Sequence, residues 1–553
     1  MANLDVTKES FQGVHIHDVP IQEIANSAGT AAFEIEDMNQ QLSQECNASG
    51  IKGCPELTPR QFKQMLRVIR KNVRRDNTWF NIPNVFTPKK YDELVPRINL
   101  DDGAQLGYSR FFTDTIEVWN EPPQTVTFVG QGVEFSSDFL GARMSHVTET
   151  DLGKFKVHTT PEASSPINAS PWYAFEVKAV PDRDGEFKER TIQITIIADG
   201  YTQGDVTLAD GSVSRNVSQP VGFRYYPKIS TDGGETWQPL PADQIEFAPV
   251  DPDLISEIPV IPHATITLTV GDEPVLISAQ ELHNSEKIKE WTLKMSELPY
   301  VESSVIGFTR EDKEIYMLNA VEGSPENPYI IIMGGLHPPE ATGRWAQQTF
   351  VETLLGNSEQ AKLFRQHYNI AVIPAINLDG IDNGHWRFSS GGVDLNRDWK
   401  TFEQPETRAV RDALLPLQEN GVDFSIDFHS TLYDTMYLAD NTPEGVSDLD
   451  RLWLDHIIAS RKERGLIADD DPDNPDQKKG TVVSKAIPYD SVPVSRYWLI
   501  ETFLSPAVTY EVGDETPRDI LRESARVEAE ILMKLLTDQF EEQNEEQNEG
   551  QDL

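Results

Sequence analysis

Cysteine, basic residues and long apolar runs are all scarce in this 553-residue sequence. Its two cysteines, Cys46 and Cys54, exclude a disulfide framework and an all-cysteine metal site, and leave one local disulfide open. The 48 Lys and Arg residues against 90 Asp and Glu residues give a net charge of -42, which argues against nucleic acid or an anionic membrane as a partner. No apolar run approaches about 18 residues. Met1 to Phe11 has no signal-peptide pattern. We therefore expect no membrane span and a cytoplasmic location.

The composition that remains is typical of a globular protein. Hydrophobic residues make up 38% and charged residues 25% of the chain, enough for packed cores. At roughly 150 residues per domain, the length predicts two to four domains.

Two different patterns occupy the first half of the chain. Residues 1–115 contain one amphipathic helix that opens at Thr58-Pro59 and has a basic outer face, and the role of this partly helical region is unknown. Residues 120–275 consist of short alternating runs separated by Gly, Pro, Asn and Asp. This second pattern predicts an all-β domain of the sandwich type.

The second half of the chain alternates between strand and helix patterns. Over residues 278–540 this alternation predicts an α/β domain with a mixed, mostly parallel sheet flanked by helices. Its last helix opens at Thr516-Pro517. Residues 541–553 are rich in Glu, Gln and Asn and carry no apolar side chain before the terminal Leu553, so we expect a disordered acidic tail.

A potential metal site comes from two strand ends. The strand that ends near Met333 leads into His337 and Glu340, and a second buried strand ends at His429. Reactive groups in open α/β sheets lie at the carboxyl ends of strands. Two His and one Glu suit zinc and leave a position for water or substrate. By itself, His429 also fits a hydrogen-bonded core histidine.

Two further polar features fall in the same half. Asn396-Arg397 lies in a turn and offers an amide and a forked cation that suit a carboxylate, although a surface ion pair is the alternative. Glu511 stands near the end of another buried strand. A lone buried carboxylate needs a partner or a function.

Together these motifs resemble the zinc metallocarboxypeptidase family, the carboxypeptidase A superfamily, and are most similar to bacterial relatives of the cytosolic carboxypeptidases. The resemblance covers about residues 130–540. The motifs occur in the family order: His-x-x-Glu, Asn-x-Asp-Gly, Arg, Gly-Val-Asp-x-Asn-Arg, strand-His and Thr-x-Glu. The resemblance implies hydrolysis of the C-terminal peptide bond of peptides or protein tails, with one Zn²⁺ per chain.

The resemblance also implies a role for each matching residue. It makes His337, Glu340 and His429 the zinc ligands, Asp394 the partner that orients His337, and Glu511 the general base and acid. It further implies that Arg387 stabilises the oxyanion and that Asn396 and Arg397 bind the terminal carboxylate of the substrate. Tyr489 would cap the bound substrate, and Arg496 would form the floor of the side-chain pocket. An arginine on that floor predicts a preference for acidic terminal residues, unless it turns outward to pair with Glu501.

Two other functions fit the same residues. Related zinc folds use the same ligands in amide deacylases of small acylated amino acids. A non-catalytic binding or structural protein that retained the fold is the second alternative. The long region before the α/β domain favours the peptidase.

Overall fold

The computed structural model describes the second sheet-rich region and most of the α/β region. The described residues are 118, 120–163, 172–198, 206–207, 213–214, 225–248, 263–431, 434–440, 442–464, 483–488 and 493–551. The predicted helix at Thr58 and both cysteines lie outside them.

Two sheets form the part of the chain before residue 280. One has the strand order β1-β2-β5-β13-β9-β10 and the other β11-β12-β6-β4-β3, and β7 and β8 pair separately. The strands are β1 Thr125–Phe128, β2 Val133–Ser136, β3 His146–Asp151, β4 Lys154–Thr159, β5 Ala174–Ala179, β6 Arg190–Ala198, β7 Val206–Thr207, β8 Val213–Ser214, β9 Lys228–Ser230, β10 Gln238–Pro239, β11 Ile245–Phe247, β12 His263–Val270 and β13 Val275–Ser278.

The alternating sequence of these strands explains their burial. In β12, Ala264, Ile266, Leu268 and Val270 are buried while the residues between them are more exposed. Such alternation puts one face of a strand into the core. Buried side chains from both larger sheets share one hydrophobic cluster, which includes Phe135, Phe175 and Ile277 from the first sheet and Phe155, Ile194 and Ile266 from the second.

The rest of the chain builds an eight-stranded mixed sheet of order β14-β15-β17-β16-β18-β21-β19-β20. Its central strands β17, β16, β18 and β21 are parallel to one another. The strands are β14 Val301–Phe308, β15 Glu314–Ala320, β16 Tyr329–Gly334, β17 Asn369–Ile373, β18 Val422–Thr431, β19 Thr435–Asp440, β20 Val483–Pro488 and β21 Ala507–Gly513. The α/β fold with a mixed sheet is thus confirmed.

Helices pack on both faces of this sheet, so its central strands are apolar on both sides. In β16, Ile330 and Ile332 join one core cluster, whereas Ile331 and Met333 join the cluster on the opposite face. The α-helices are α1 Ser285–Met295, α2 Ala341–Leu354, α3 Glu359–His367, α4 Leu378–Asp382, α5 Pro405–Leu414, α6 Leu449–Glu463, α7 Ser495–Phe503 and α8 Arg518–Gln551. No helix in the described ranges is both long and apolar enough to cross a bilayer.

The C-terminal helix differs from the sequence prediction. Helix α8 begins after Pro517, as predicted, but continues to Gln551, through most of the segment that was expected to be disordered. The middle of this helix is anchored by buried Leu532, Met533 and Leu536. Glu and Gln are good helix formers, so they extend a helix that packing has already nucleated.

Candidate active site

Three adjacent parallel strands of the eight-stranded sheet bring the candidate residues to one edge. β18 lies between β16 and β21, and the carboxyl ends of all three strands meet at this edge. His337 follows the end of β16, while His429 of β18 is paired in register with Glu511 of β21. Register partners on neighbouring strands point their side chains to the same face.

Glycine permits the tight path from β16 into helix α2. Gly335 has a φ of +68°, and a Cβ there would lie 2.7 Å from the Cβ of Ala375. At Gly343, in the first turn of α2, a Cβ would lie 2.4 Å from the backbone oxygen of His429. Only glycine allows this approach. It brings the start of α2, preceded by Glu340, against the end of β18.

The side chains of His337, Glu340 and His429 converge at this point. Nδ1 of His337 lies 2.9 Å from Oε1 of Glu340, and Nδ1 of His429 lies 2.8 Å from Oε2 of the same carboxylate. One ligand atom from each residue falls within 4.8 Å of the others. Glu340 is the N-cap residue of α2, but its carboxylate makes no capping hydrogen bond and faces the histidines instead.

Mutual attraction changes the acidity of all three groups. Burial lowers the pKa of His337, but the negative charges and hydrogen bonds of Glu340 and Asp394 have the larger effect, so the pKa is raised overall. Likewise, Asp427 and Glu340 overcome burial and raise the pKa of His429 well above its usual range. Burial raises the pKa of Glu340, but the two histidines hold it well below its usual value.

A buried carboxylate holds the second nitrogen of each imidazole. Nε2 of His337 lies 3.1 Å from Oδ1 of Asp394, and Nε2 of His429 lies 2.9 Å from Oδ2 of Asp427. The hydroxyl of Ser495 donates to the same oxygen of Asp427. Such partners fix the ring orientation and leave Nδ1, which faces Glu340, as the atom of each histidine that can bind a metal ion.

The donor set fits one zinc ion. Two imidazole nitrogens and one carboxylate oxygen are borderline and hard donors of the kind that zinc prefers, and three protein ligands are typical of catalytic zinc. The orientation of both rings by buried carboxylates adds the outer shell that zinc sites carry.

The residues expected to contact substrate lie next to this cluster. Nη2 of Arg387 is 2.7 Å from Oδ2 of Asp394, so one carboxylate bridges Arg387 and His337. Oδ1 of Asn396 accepts from the backbone N of Ser495 at 3.1 Å. Arg387 and Arg397 together with His337 hold the pKa of Asp394 well below its usual range despite its burial.

Glu511 lies beside the cluster and retains some contact with solvent. Burial and the nearby charge of Glu340 raise the pKa of its carboxyl to about 7, while His429 and His337 oppose the shift. A carboxyl with such a pKa exchanges a proton readily near neutral pH.

The structure also describes Arg496 but not Tyr489, which lies outside the described residues. The Arg496 side chain is 3% exposed and its Nη1 donates to the carbonyl of Tyr437 at 2.9 Å. Its guanidinium carbon lies 4.7 Å from the ring centroid of Tyr497. Glu501, the partner in the alternative outward orientation, is an exposed residue of α7, whereas Arg496 is buried.

Three residues of this environment were not predicted from the sequence: Asp427, Ser495 and Glu162, whose Oε1 accepts from the backbone N of Arg387 at 2.8 Å. Asp427 had a usable signal, since it lies two residues before His429 and strand periodicity puts both on one face. Ser495 and Glu162 come from distant parts of the chain and have no local signal.

Comparison with known proteins identifies a family model and several relatives similar to this chain. The family model described as zinc carboxypeptidase matches residues 288–517. The chain is 34% identical to human (Homo sapiens) cytosolic carboxypeptidase 2 over 408 residues, which covers 66% of this chain and 41% of that relative. It spans less than half the length of the curated relatives that it matches.

Two solved structures share the fold. One is a metallo-carboxypeptidase from Burkholderia cenocepacia, with a TM-score of 0.53 and 18% identity, covering 74% of this chain and 100% of that one. The other is a metallo-carboxypeptidase from Pseudomonas aeruginosa in complex with (2-guanidinoethylmercapto)succinic acid, with a TM-score of 0.52 and 15% identity, covering 73% and 98%. Residues 288–517 therefore form a domain of the zinc carboxypeptidase family.

Proposed function

We propose that this chain is a zinc-dependent metallocarboxypeptidase that hydrolyses the C-terminal peptide bond of peptides or protein tails. The observation that carries the proposal is the convergence of His337, Glu340 and His429 beside Glu511, a carboxyl whose pKa is about 7. This arrangement combines a three-donor metal site with a separate group that can move a proton.

His337, Glu340 and His429 would hold the zinc ion, which supplies Lewis acidity toward a carbonyl and toward water. Glu511 accepts a proton from the attacking water and returns it to the leaving amine. A pKa near the working pH suits both transfers, because the same group must accept and then release the proton. No covalent intermediate with the chain is needed.

Arg387 stabilises the oxyanion of the tetrahedral state. Its guanidinium is fixed by Asp394 at 2.7 Å and therefore needs little reorganisation as charge develops. One such donor contributes roughly 3 to 4 kcal/mol to transition-state stabilisation. Asn396 and Arg397 bind the terminal carboxylate of the substrate, since an amide and a planar fork match its two oxygens. Tyr489 covers the bound residue.

Arg496 gives the enzyme its preference for terminal Glu or Asp. The support is its burial without a carboxylate partner in the described part of the chain, with one contact to a backbone carbonyl and two aromatic neighbours. A buried guanidinium is costly unless an anion joins it. The side chain of an acidic terminal residue supplies that anion.

The domain organisation belongs to the same proposal. Residues 120–275 form a β-sandwich, supported by the core shared between its two larger sheets, and residues 278–540 form the catalytic domain. The substrate is the C-terminus of a peptide or protein. The cytosolic relatives support a cytoplasmic site of action.

A peptide library tests this function directly. Mass spectrometry before and after incubation is expected to detect loss of single C-terminal residues, and a chelator is expected to abolish it. Release of an acyl group from small acylated amino acids with intact peptides would instead indicate the deacylase, which the family match does not favour. No turnover by the zinc-replete protein would indicate a binding protein.

A further inference from the structure

The loop that carries Arg387 is fixed largely by segments that precede or connect the strands of the two N-terminal sheets. Residues 382–388, here called the Arg387 loop, begin at the last residue of helix α4 and contact residues that lie more than 150 positions earlier in the chain. The polar contacts are Gly141 N to Asp382 O at 2.7 Å, Arg143 Nη1 to Asn383 O at 3.4 Å, His385 Nε2 with Asn120 Oδ1 at 2.7 Å, and Trp386 Nε1 to Tyr225 Oη at 3.2 Å.

Packing reinforces these polar contacts. Gly384 has a φ of +62°, and a Cβ there would lie 2.6 Å from the carbonyl oxygen of Ala142. Trp386 is buried in the hydrophobic cluster that the two N-terminal sheets share. The residue immediately before Arg387 therefore belongs to the core of the neighbouring sheets.

Glu162 makes the contact closest to Arg387. Its side chain is completely buried, and Oε1 accepts from the backbone N of Arg387 at 2.8 Å and from that of Phe388 at 3.3 Å. Two successive amides on one carboxylate oxygen fix the peptide units on both sides of the Arg387 Cα. Burial lowers the pKa of Arg143 and Glu162 opposes the shift, so the two buried charges attract each other.

Arg387 is thus held at both ends, by Glu162 at its backbone and by Asp394 at its guanidinium. We propose that Glu162 is a positioning residue for Arg387, so that the N-terminal sheets complete the active site of the α/β domain. The inference rests on the proposed function, in which Arg387 stabilises the oxyanion. Donors of this kind must lie within about 2.7–3.1 Å of the developing charge, so a small shift of the loop weakens them.

The test is a double-mutant cycle between Glu162 and Arg387 in the full-length, zinc-replete protein. Glu162→Ala is expected to lower kcat roughly 10- to 100-fold, as displacements of about 1 Å do, with KM and zinc content unchanged. Glu162→Gln keeps an acceptor oxygen and is expected to restore part of the lost kcat. In an Arg387→Ala background, Glu162→Ala is expected to cause no further loss.

Lys287→Gln is the matched control. Lys287 of α1 donates to the carbonyl of Gly234, and so contacts the N-terminal sheets without touching the Arg387 loop. The kcat of Lys287→Gln is expected to match that of the parent. This result would distinguish positioning of Arg387 from a general weakening of the contact between the N-terminal sheets and the α/β domain.

The outcomes separate this inference from the function on which it rests. Full turnover by Arg387→Ala would refute the oxyanion role and the inference with it. If Arg387→Ala is impaired, two results would overturn the role of Glu162 alone. One is an unchanged kcat of both Glu162 variants. The other is that Glu162→Ala lowers kcat by the same factor in the parent and in Arg387→Ala. If Glu162→Ala does not fold, the same comparison made with Glu162→Gln decides the question.

Discussion

At the scale of single residues, Glu511 shows how position sets chemistry. It stands on β21 in register with His429, next to the negative charge of Glu340. Burial and that charge raise its pKa to about 7, whereas an exposed glutamate is fully ionised at this pH.

Glu511→Gln is expected to keep the fold and the zinc but to lose roughly 10²- to 10⁴-fold in kcat, because an amide preserves shape and cannot carry the proton. Metal analysis and steady-state kinetics check this. Glu501→Gln, a change at an exposed position of α7, is the control and is expected to behave as the parent. Unchanged turnover of metal-replete Glu511→Gln would assign the base to another carboxylate.

The metal site gives a second prediction at this scale. We expect about one zinc per chain, and His337→Ala and His429→Ala are each expected to lose it, because catalytic zinc has only three protein ligands. Elemental analysis after dialysis measures the stoichiometry. His146→Ala, on an exposed strand of the N-terminal sheets, is expected to retain the metal. Full zinc content in both ligand variants would put the site elsewhere.

Specificity is the third property that depends on one residue. The parent enzyme is expected to prefer peptides ending in Glu over those ending in Leu or Lys. Arg496→Ala is expected to lower kcat/KM for the Glu peptide roughly 10- to 100-fold, the effect of a charge-assisted hydrogen bond of about 1.5–3 kcal/mol. The exposed-arginine variant Arg464→Ala serves as control. A parent preference for Leu or Lys, or a ranking that Arg496→Ala leaves unchanged, would contradict the pocket assignment.

At the scale of elements, a buried ionic network joins α6, β21 and α8 behind the active site. Arg461 pairs with Asp434 and Glu528, and its Nη2 lies 2.6 Å from the hydroxyl of Tyr510. Asp434 also accepts from the backbone N of Gly513 at 2.8 Å, at the end of the strand that carries the proposed base.

Arg461→Met is expected to lower the free energy of unfolding by about 3–5 kcal/mol, because it leaves two buried carboxylates without their cation. Urea denaturation measures the change. Arg464→Met, one turn away on a partly exposed ion pair with Glu523, is expected to cost about 1 kcal/mol or less. Equal urea-denaturation midpoints for the two variants would mean that the buried network contributes no more to the free energy of unfolding than the surface ion pair.

Elements were easier to predict from the sequence than their surroundings. β16, β18 and β21 were predicted because buried apolar runs end at polar residues, and their observed bounds, such as Val422–Thr431, agree closely. The extension of α8 to Gln551 was missed, because composition alone does not report a helix nucleated upstream. Glu162 could not be identified, since its contact with Arg387 spans 225 positions and depends on how the sheets pack.

At the scale of the whole molecule, the N-terminal sheets and the α/β region are joined by specific buried contacts. Lys228 of β9 is 3% exposed in its side chain and its Nζ lies 2.7 Å from Oε1 of Glu515. Trp386 enters the hydrophobic core of the sheets. These contacts hold the sheets against the segments that precede α8 and follow α4, close to both Glu511 and Arg387.

The charge of the whole chain opposes the specificity of its pocket. A net charge of -42 repels acidic peptides over a distance that is about 30 Å at 10 mM salt and about 8 Å at 150 mM salt. Repulsion acts on the encounter, whereas the contact with Arg496 is buried and little screened. For a peptide with an acidic tail, kcat/KM is therefore expected to rise roughly tenfold between these salt concentrations, since steering effects of this kind span about 10- to 1,000-fold.

A neutral peptide of equal length is expected to show little change, and Arg496→Ala is expected to keep the salt dependence of the parent while losing the preference for Glu. Steady-state kinetics across a salt series with both peptides measures the two effects separately. If kcat/KM for the acidic peptide falls as salt is added, local attraction at the pocket governs the encounter as well as the bound state. The long-range field would then be too weak at the active-site edge to matter, despite the excess of 90 acidic over 48 basic residues.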